Sequence, residues 1–294
     1  MIYETDDDNA LQVEAVPVIP TLTPSTSLAS VLEYASPELT INHHAHFQQP
    51  STWPRGYPLE AIGDPHATSL RLAPLIPAVQ QGLANGDPDM DAVFRLTRKP
   101  RDVRIDFAFA QAPPVALPMG AFGPFNAQNT LFTYEGLWAT LLPQSVEFRV
   151  CDIWRAYFVQ RLLWGTGAQL AFVAPYVYQL RNSHSYHEDY VSEKQIYDQV
   201  TALLHFLRQW RCGAEDVRAF PPPPAAAAAG SASLLPQCAY ALARDLAVGG
   251  FWGQADAELV RHFFQDLARV GYVFPLWLEA VEEGGGGAAG GGGG

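Results

Sequence analysis

Charge is scarce in this 294-residue chain, and positive charge is the scarcer sign. Only 16% of the residues are charged, and 18 Lys and Arg face 30 Asp and Glu, which gives a formal net charge of -12. A chain this acidic offers no basic surface to nucleic acid or to an anionic membrane. The composition therefore argues against both partners, whereas a local cluster of acids would still suit a cation.

Long apolar runs and cysteines are also few. No run of 18 apolar residues occurs, so the sequence predicts no membrane segment in this chain. It does not start with a basic segment followed by an apolar one, so we expect any targeting segment of the natural protein to lie outside this chain. Cys151, Cys212 and Cys238 cannot all pair with one another, and they are too few and scattered for a disulfide framework or a zinc site.

The apolar content is high enough for a sizeable core, since 48% of the residues are hydrophobic and 12% are aromatic. Hydrophobic patterns and turn residues predict a mixture of strands and helices, which is typical of an α/β fold. The predicted strands cover 92–96, 103–109 and 171–178, with another at the start of the chain. The predicted helices cover 74–83, 129–142, 152–164, 193–210, 234–247 and 254–270.

Composition also divides the chain. Residues 1–215 carry the α/β pattern, and residues 216–233 are rich in Pro and Ala, as expected of a linker. Residues 234–280 form a predicted helical C-terminal piece. The Gly-rich tail, residues 281–294, is predicted to be disordered.

The acidic triplet Asp6-Asp7-Asp8 follows the predicted first strand directly. Hard divalent cations take carboxylate ligands, and ligands of open α/β sheets bind beyond the carboxyl ends of strands. Such a triplet could bind Mn²⁺ or Mg²⁺ and thereby hold a nucleotide diphosphate. The alternative is a solvated acidic tail, which is the commoner role of a charge run.

Six segments carry a resemblance to known proteins when taken in order. They are 2–9 (IYETDDDN), 53–60 (WPRGYPLE), 94–98 (FRLTR), 129–143 (NTLFTYEGLWATLLP), 148–163 (FRVCDIWRAYFVQRLL) and 176–186 (YVYQLRNSHSY). Together they closely resemble the STELLO-like family of glycosyltransferases. A more distant likeness links the same blocks to the reversibly glycosylated polypeptides, which are UDP-arabinopyranose mutases.

The resemblance implies a partial glycosyltransferase-A-like domain, with a Rossmann-like sheet that lacks its N-terminal strands and a helical C-terminal subdomain. It places this catalytic region in residues 1–215. It also implies a UDP-sugar substrate, a Golgi lumen location, a role in cell-wall polysaccharide synthesis and association with the cellulose synthase complex. Because the front of the sheet is expected to be missing, uridine binding by this chain is itself open.

The resemblance also assigns roles to individual residues. Asp6, Asp7 and Asp8 would supply the metal-contacting carboxylates, and His184 would complete the metal site or contact the diphosphate. Asp152 would face the sugar as a base or a hydroxyl contact, although an Asp at a helix start can also be a plain N-cap. Arg181 is a candidate to neutralise phosphate.

Arg55, in the Trp-Pro-Arg-Gly block, is a further phosphate candidate, and its alternative is a structural arginine that bonds loop carbonyls. Trp53 and Tyr57 in the same loop are candidates to stack on a sugar, whereas Trp138, Trp154 and Trp164 are predicted core residues. The trio His43, His44 and His46 lacks both a nearby carboxylate and metalloprotease spacing, which disfavours a dedicated metal site.

Three functions therefore remain open at the level of sequence. The first is metal-dependent glycosyl transfer from a nucleotide sugar. The second is a UDP-sugar mutase, which shares the motifs. The third is a non-catalytic scaffold that assists assembly of the cellulose synthase complex.

Overall fold

The computed structural model describes residues 1–19, 32–34, 39–64, 70–73, 75–99, 102–107, 112–219 and 233–281. Within these residues, eight strands form one mixed sheet in the order β1-β7-β5-β8-β6-β3-β4, and β2 pairs with the end of β8. The strands are β1 Ile2–Thr5, β2 Asn9–Leu11, β3 Leu32–Tyr34, β4 Leu70–Leu72, β5 Pro77–Gly86, β6 Val115–Ala116, β7 Asn129–Phe132 and β8 Gln169–Gln179.

Helices complete the predicted α/β class, consistent with a partial glycosyltransferase-A-like domain. None of the helices in the described residues is long and apolar enough to cross a membrane. They are α1 His43–His46, α2 Ala92–Leu96, α3 Phe148–Thr166, α4 Tyr186–Ser192, α5 Lys194–Gln209, α6 Ala214–Ala219, α7 Leu235–Val248 and α8 Gln254–Arg269, with 3₁₀ turns at Leu59–Ala61 and Tyr134–Thr140.

The centre of the sheet is the parallel pair β5 and β8. Every residue of β5 is buried, so this strand shows no apolar–polar alternation, and the predicted helix over 74–83 is wrong. At Gly82 an added Cβ would lie 2.3 Å from the ring of Tyr176 and 2.4 Å from Asn129 Nδ2. A glycine at this position therefore lets the side chains of Tyr176 in β8 and Asn129 in β7 pack directly against the backbone of β5.

Two further predictions of secondary structure are corrected. The predicted strand 92–96 is helix α2, because Asp91 accepts a hydrogen bond from Phe94 N and caps the helix start. The predicted helix 129–142 is strand β7 followed by the 3₁₀ turn. The predicted strand 103–109 is reduced to one bridge, Gly86 with Ile105, and 108–109 lie outside the described residues.

The longer helices and the central strand are confirmed where the sequence predicts them. β8 contains 171–178, and α5, α7 and α8 match their predicted ranges to within one residue. The apolar stripe of α5 is buried as predicted, at Ile196, Val200, Leu203, Leu204 and Leu207. Helix α3 begins earlier than predicted, at Phe148, so Asp152 lies one turn inside the helix and Glu147 is the N-cap.

One large hydrophobic core joins the sheet to α3, α5, α7 and α8. The C-terminal helices therefore share their core with the α/β region. Trp138 and Trp154 are fully buried and Trp164 packs against the same core, as predicted. Of the predicted linker, 216–219 lie in α6 and 220–232 lie outside the described residues, as does the tail from 282 onward.

Trp53 and Tyr57 are not exposed stacking platforms. They are only 7% and 5% exposed and belong to a small core with Met90 and Phe94. Trp53 Nε1 also donates to Asp91 Oδ2 at 2.6 Å. The ring of Trp53 is therefore committed to packing between the loop and α2.

A disulfide joins Cys212, just after α5, to Cys238 in α7, and both cysteines are buried in the main core. Cys151 is free and partly buried. The sequence excluded a framework of several disulfides, and its spacing gave no indication of this single bond. The bond closes the chain segment that contains the Pro/Ala-rich residues.

Replacing both bonded cysteines by Ala should destabilise the protein. The residues are 26 apart in sequence, and for a loop of this length the entropic model predicts about 3.5 kcal/mol. Urea unfolding without reductant should show this loss in Cys212→Ala/Cys238→Ala, and wild type with reductant should lose a similar amount. Cys151→Ala is the matched control, and an unchanged unfolding midpoint in the double variant would contradict the prediction.

Candidate functional site

Three strands of the sheet end at the same edge. β1 and β5 are both antiparallel to β7, and β5 is parallel to β8, so β1, β5 and β8 run in one direction. The segments after their carboxyl ends carry Asp6 to Asp8, Asp87 and Asp89, and Arg181. We call this side of the sheet, together with Arg55 and Asp152, the acidic edge. Ligands of open α/β sheets bind at such an edge.

Asp6 and Asp8 both point toward the end of β8. Gln179 Nε2 donates to Asp8 Oδ1 at 2.8 Å and to Asp6 Oδ2 at 3.3 Å, and Asn182 N donates to Asp8 Oδ2 at 3.3 Å. Backbone bonds from Asp6 N to Gln128 O and from Leu180 N to Asp8 O hold the triplet in place. Asp7, between them, is exposed. The triplet is thus anchored to the sheet and is not a loose tail.

Negative charge is crowded around Asp6. Burial raises the pKa of Asp6 to about 6, and repulsion from Asp89 and Asp8 adds to the effect, while Arg181 and Arg55 oppose it. The ionised form of Asp6 is therefore less favoured in the isolated site than it is for an aspartate in water. A bound cation would relieve this repulsion.

Arg55 is almost fully buried and bridges two aspartates. Its Nε and Nη2 donate to Asp89 at 2.7–3.1 Å, and its Nη1 and Nη2 donate to Asp152 at 2.9 and 2.7 Å. Nη1 also donates to the carbonyl of Arg149. Every donor nitrogen of this guanidinium is therefore occupied, which favours the structural role over direct phosphate binding.

The charges in this bridge stabilise one another. Burial alone would raise the pKa of Asp89, but the positive charge and hydrogen bonds of Arg55 outweigh burial and hold that pKa well below its usual range. Burial alone would lower the pKa of Arg55, and Asp152 and Asp89 together raise it instead. Both shifts favour the ionised forms of Asp89 and Arg55.

Asp152 is not the N-cap of α3. Both of its oxygens accept from Arg55, and Oδ2 also accepts from Ala127 N at 3.2 Å. These three hydrogen bonds occupy both oxygens of Asp152 and fix the orientation of the carboxylate. The geometry suits Asp152 to orienting a bound group better than to acting as a base.

Arg181 differs from Arg55 because its charge is only loosely matched. Its Nε lies 3.4 Å from Asp87 Oδ1 without making a hydrogen bond, and its Nη2 lies 3.7 Å from Asp89 Oδ1. Burial and the positive charge of Arg95 lower its pKa. Arg181 therefore retains donor capacity beside the acidic triplet, as a phosphate-binding arginine would.

His184 is not brought into a metal cluster. Its Nδ1 lies 2.5 Å from Asp189 Oδ2, at the start of α4. Burial lowers the pKa of His184, so the ring is neutral at pH 7. Among the described residues, no group of three or more His, Cys, Asp or Glu side chains converges to hold a metal.

Two of the three histidines of α1, His43 and His44, line a small cavity together with Asp89. His43 stacks on Phe172 at 3.7 Å between ring centroids, His44 Nδ1 bonds Thr52 Oγ1, and His46 Nε2 bonds the carbonyl of Pro113. Burial lowers the pKa of His44 to about 3. These rings are packed as neutral groups.

The donor set at the acidic edge fits one kind of metal binding. Asp6 and Asp8 supply two carboxylates from the single turn between β1 and β2, and a Mg²⁺ or Mn²⁺ that arrives with a diphosphate needs only one or two protein carboxylates. The crowding of negative charge at Asp6 is consistent with this arrangement. A cage made of protein ligands alone is not what these residues form.

Sequence reasoning missed Asp87, Asp89 and Gln179. The first two follow β5 in the stretch Gly-Asp-Pro-Asp, so recognising 77–86 as a strand would have revealed a second set of carboxylates at a strand end. No local signal marks Gln179, which is identified by its contacts alone.

The Arg55 bridge predicts a large effect on stability. Arg55→Ala leaves Asp89 and Asp152 as buried, uncompensated charges, and we expect a loss of about 3–5 kcal/mol in the free energy of unfolding. Urea denaturation at pH 7 measures it. Arg104→Ala, at an exposed position, should change stability by less than about 0.5 kcal/mol. Equal stability of the two variants would show that Arg55 does not hold the site together.

Comparison with known proteins identifies the family. Residues 149–284, which include Asp152, Arg181 and His184, match the family model for STELLO glycosyltransferases. Two Arabidopsis thaliana proteins, "Probable glycosyltransferase STELLO1" and "Probable glycosyltransferase STELLO2", are each 34% identical to this chain, over 251 and 254 residues. These matches cover 83% of the chain and 30% of each relative, so the chain spans under a third of their length. The chain belongs to the STELLO glycosyltransferase family.

Proposed function

We propose that the acidic edge binds a nucleotide diphosphate sugar together with a divalent metal, and that the site serves glycosyl transfer. The observation that carries this proposal is the convergence of Asp6 and Asp8 on Gln179, at the carboxyl ends of three parallel strands. A loosely paired cation, Arg181, lies in the same loop cluster. Family membership supports the reaction class.

Asp6 and Asp8 are the proposed metal ligands. Asp7 is exposed, and we propose that its carboxylate faces solvent. When bound, Mn²⁺ or Mg²⁺ would neutralise the diphosphate and make it a better leaving group. The metal would also relieve the repulsion that raises the pKa of Asp6. Arg181 is proposed to bind the diphosphate. His184, two residues before α4, is proposed to line the same region.

The transfer itself exchanges one bond for another. An acceptor hydroxyl oxygen forms a bond to the anomeric carbon of the sugar, and the bond from that carbon to the diphosphate breaks. The diphosphate leaves with the electron pair, and the hydroxyl proton passes to solvent. Asp152, held by Arg55, is proposed to orient the sugar hydroxyls at the start of this exchange.

The cellular role is proposed on the family resemblance. It comprises a UDP-sugar donor, the Golgi lumen and cell-wall polysaccharide synthesis with the cellulose synthase complex. The buried Cys212–Cys238 bond supports a lumenal location, because structural disulfides persist in oxidising compartments. A scaffold in the same complex would share the fold and would have no need of metal-dependent nucleotide binding.

Calorimetric titration of UDP with Mn²⁺ tests the proposal. Wild type should bind UDP in the presence of Mn²⁺ and lose at least tenfold in affinity with EDTA, because the diphosphate would then face uncompensated carboxylates. Asp6→Asn and Asp8→Asn should each weaken binding at least tenfold for lack of a metal ligand. Asp7→Asn removes the same charge from the exposed member of the triplet and should retain wild-type affinity.

Absence of binding by folded wild type would reject the enzyme proposal for this chain and favour the scaffold. Binding that is insensitive to EDTA, or equally weakened by all three substitutions, would reject the assigned metal ligands. If UDP binds as predicted, incubation with UDP-sugars and an acceptor separates a transferase from a mutase by the product formed.

A further inference from the structure

A groove of about 520 Å³ lies outside the acidic edge, between the loop that follows α1 and the outer face of α5. Its size falls within the range of sites for small molecules. Glu60 and Asp64 line one wall, and Thr201 and His205, one turn apart on α5, line the other. Thr201 Oγ1 donates to Glu60 Oε2 at 3.0 Å, which joins the two walls at one point.

The lining selects a class of ligand. No Lys or Arg is among the described residues that line this groove, so none of these residues supplies a cation to hold a phosphate or another anion. The polar groups are carboxylates, hydroxyls and an imidazole, which accept from and donate to hydroxyl groups, whereas the amide of Asn42 is already bonded to Thr52 O and His44 N. Leu39, Pro58, Ala61 and Tyr57 add apolar groups to the lining. Hydroxyl-binding groups together with apolar groups match a neutral sugar, which presents both hydroxyls and C–H faces.

The groove is tied to the acidic edge by a very short turn. Arg55, which binds Asp152, is two residues from Tyr57, which lines the groove, so their Cα atoms are at most about 7 Å apart. Gly56 between them has φ +91, and an added Cβ would lie 2.5 Å from Ile153 Cγ2. Tyr157 Oη donates to Gly56 O at 2.7 Å. The turn is therefore fixed against α3, next to Asp152.

We propose that this groove is the binding subsite for a neutral saccharide that serves as the acceptor. The acceptor role rests on the proposed function, whereas saccharide binding in the groove stands on the lining itself. The Arg55–Tyr57 turn is itself buried, so it fixes the position of the groove relative to Asp152 and does not contact the saccharide. A saccharide long enough to leave the groove would bring its reacting hydroxyl to the donor sugar at the acidic edge.

Saturation-transfer NMR and calorimetry on the full chain test the proposal with four neutral probes, namely cellohexaose, xylohexaose, mannohexaose and maltohexaose. At least one should bind, and hexagalacturonic acid should bind at least tenfold more weakly than that probe, because Glu60 and Asp64 repel its carboxylates. Thr201→Trp and His205→Trp fill the groove and should each reduce binding at least tenfold.

Two controls keep the result specific. Ala202→Trp places the same side chain at an exposed position of α5 that does not line the groove, and it should bind the saccharide as wild type does. The milder His205→Ala should weaken binding without filling the groove. The urea unfolding midpoint should be unchanged in all of these variants, which shows that they are folded whether or not the chain binds UDP.

The outcomes separate this proposal from the proposed function. If folded wild type binds none of the neutral probes, or if binding survives both Trp substitutions, the subsite is wrong whatever UDP does. If saccharide binding is lost in the groove variants and retained in Asp6→Asn, the subsite is supported independently of metal and nucleotide. Saccharide binding without any UDP binding would reject transfer and leave a saccharide-binding protein.

Discussion

The buried bridge from Arg55 to Asp89 and Asp152 is the interaction on which the rest of the site depends. It joins the loop after α1, the segment after β5 and the second turn of α3 at one point. Buried ion pairs add little net stability, because desolvation of the charges offsets much of their attraction. Their loss is nevertheless costly, so the bridge acts mainly as a constraint on where these three segments meet. The acidic triplet, the Arg181 loop and the groove all lie beside segments that this bridge fixes.

That constraint also explains how a site rich in carboxylates remains ordered. Asp89 and Asp152 are neutralised by Arg55, whereas Asp6 and Asp8 accept from neutral donors, the amide of Gln179 and, for Asp8, the backbone N of Asn182. In the acidic edge, the charges of Asp89 and Asp152 are therefore balanced, whereas the region around Asp6 and Asp8 has excess negative charge. A metal bound together with a diphosphate would add positive charge to that region and give Arg181 a closer partner. On this view the protein supplies an incomplete site that its substrate completes.

The sequence predicted those elements of secondary structure that are determined by patterns of neighbouring residues. The apolar stripe of α5, the C-terminal helices and the strand 171–178 follow from periodicity, and the acidic triplet was correctly placed after a strand. The sequence failed where burial on both faces removes periodicity, as in β5, and where a single cap residue decides the structure, as with Asp91 at α2.

Contacts between residues far apart in the chain could not be predicted from the sequence either. The Cys212–Cys238 bond, the Arg55 bridge and the contact of Gln179 with the triplet all depend on residues brought together only by the fold. The predicted site roles all stay predictions; they concern Asp6, Asp7, Asp8, Arg55, Asp152, Arg181 and His184.

The most direct test of this account is anomalous diffraction at the manganese edge from crystals grown with UDP and Mn²⁺. The account predicts one peak about 2.1 Å from carboxylate oxygens of Asp6 or Asp8, with the UDP diphosphate between the metal and Arg181. The Arg55 bridge should remain intact in the same crystals. A peak at the histidines of α1, or UDP bound at the acidic edge with no manganese beside the triplet, would contradict it.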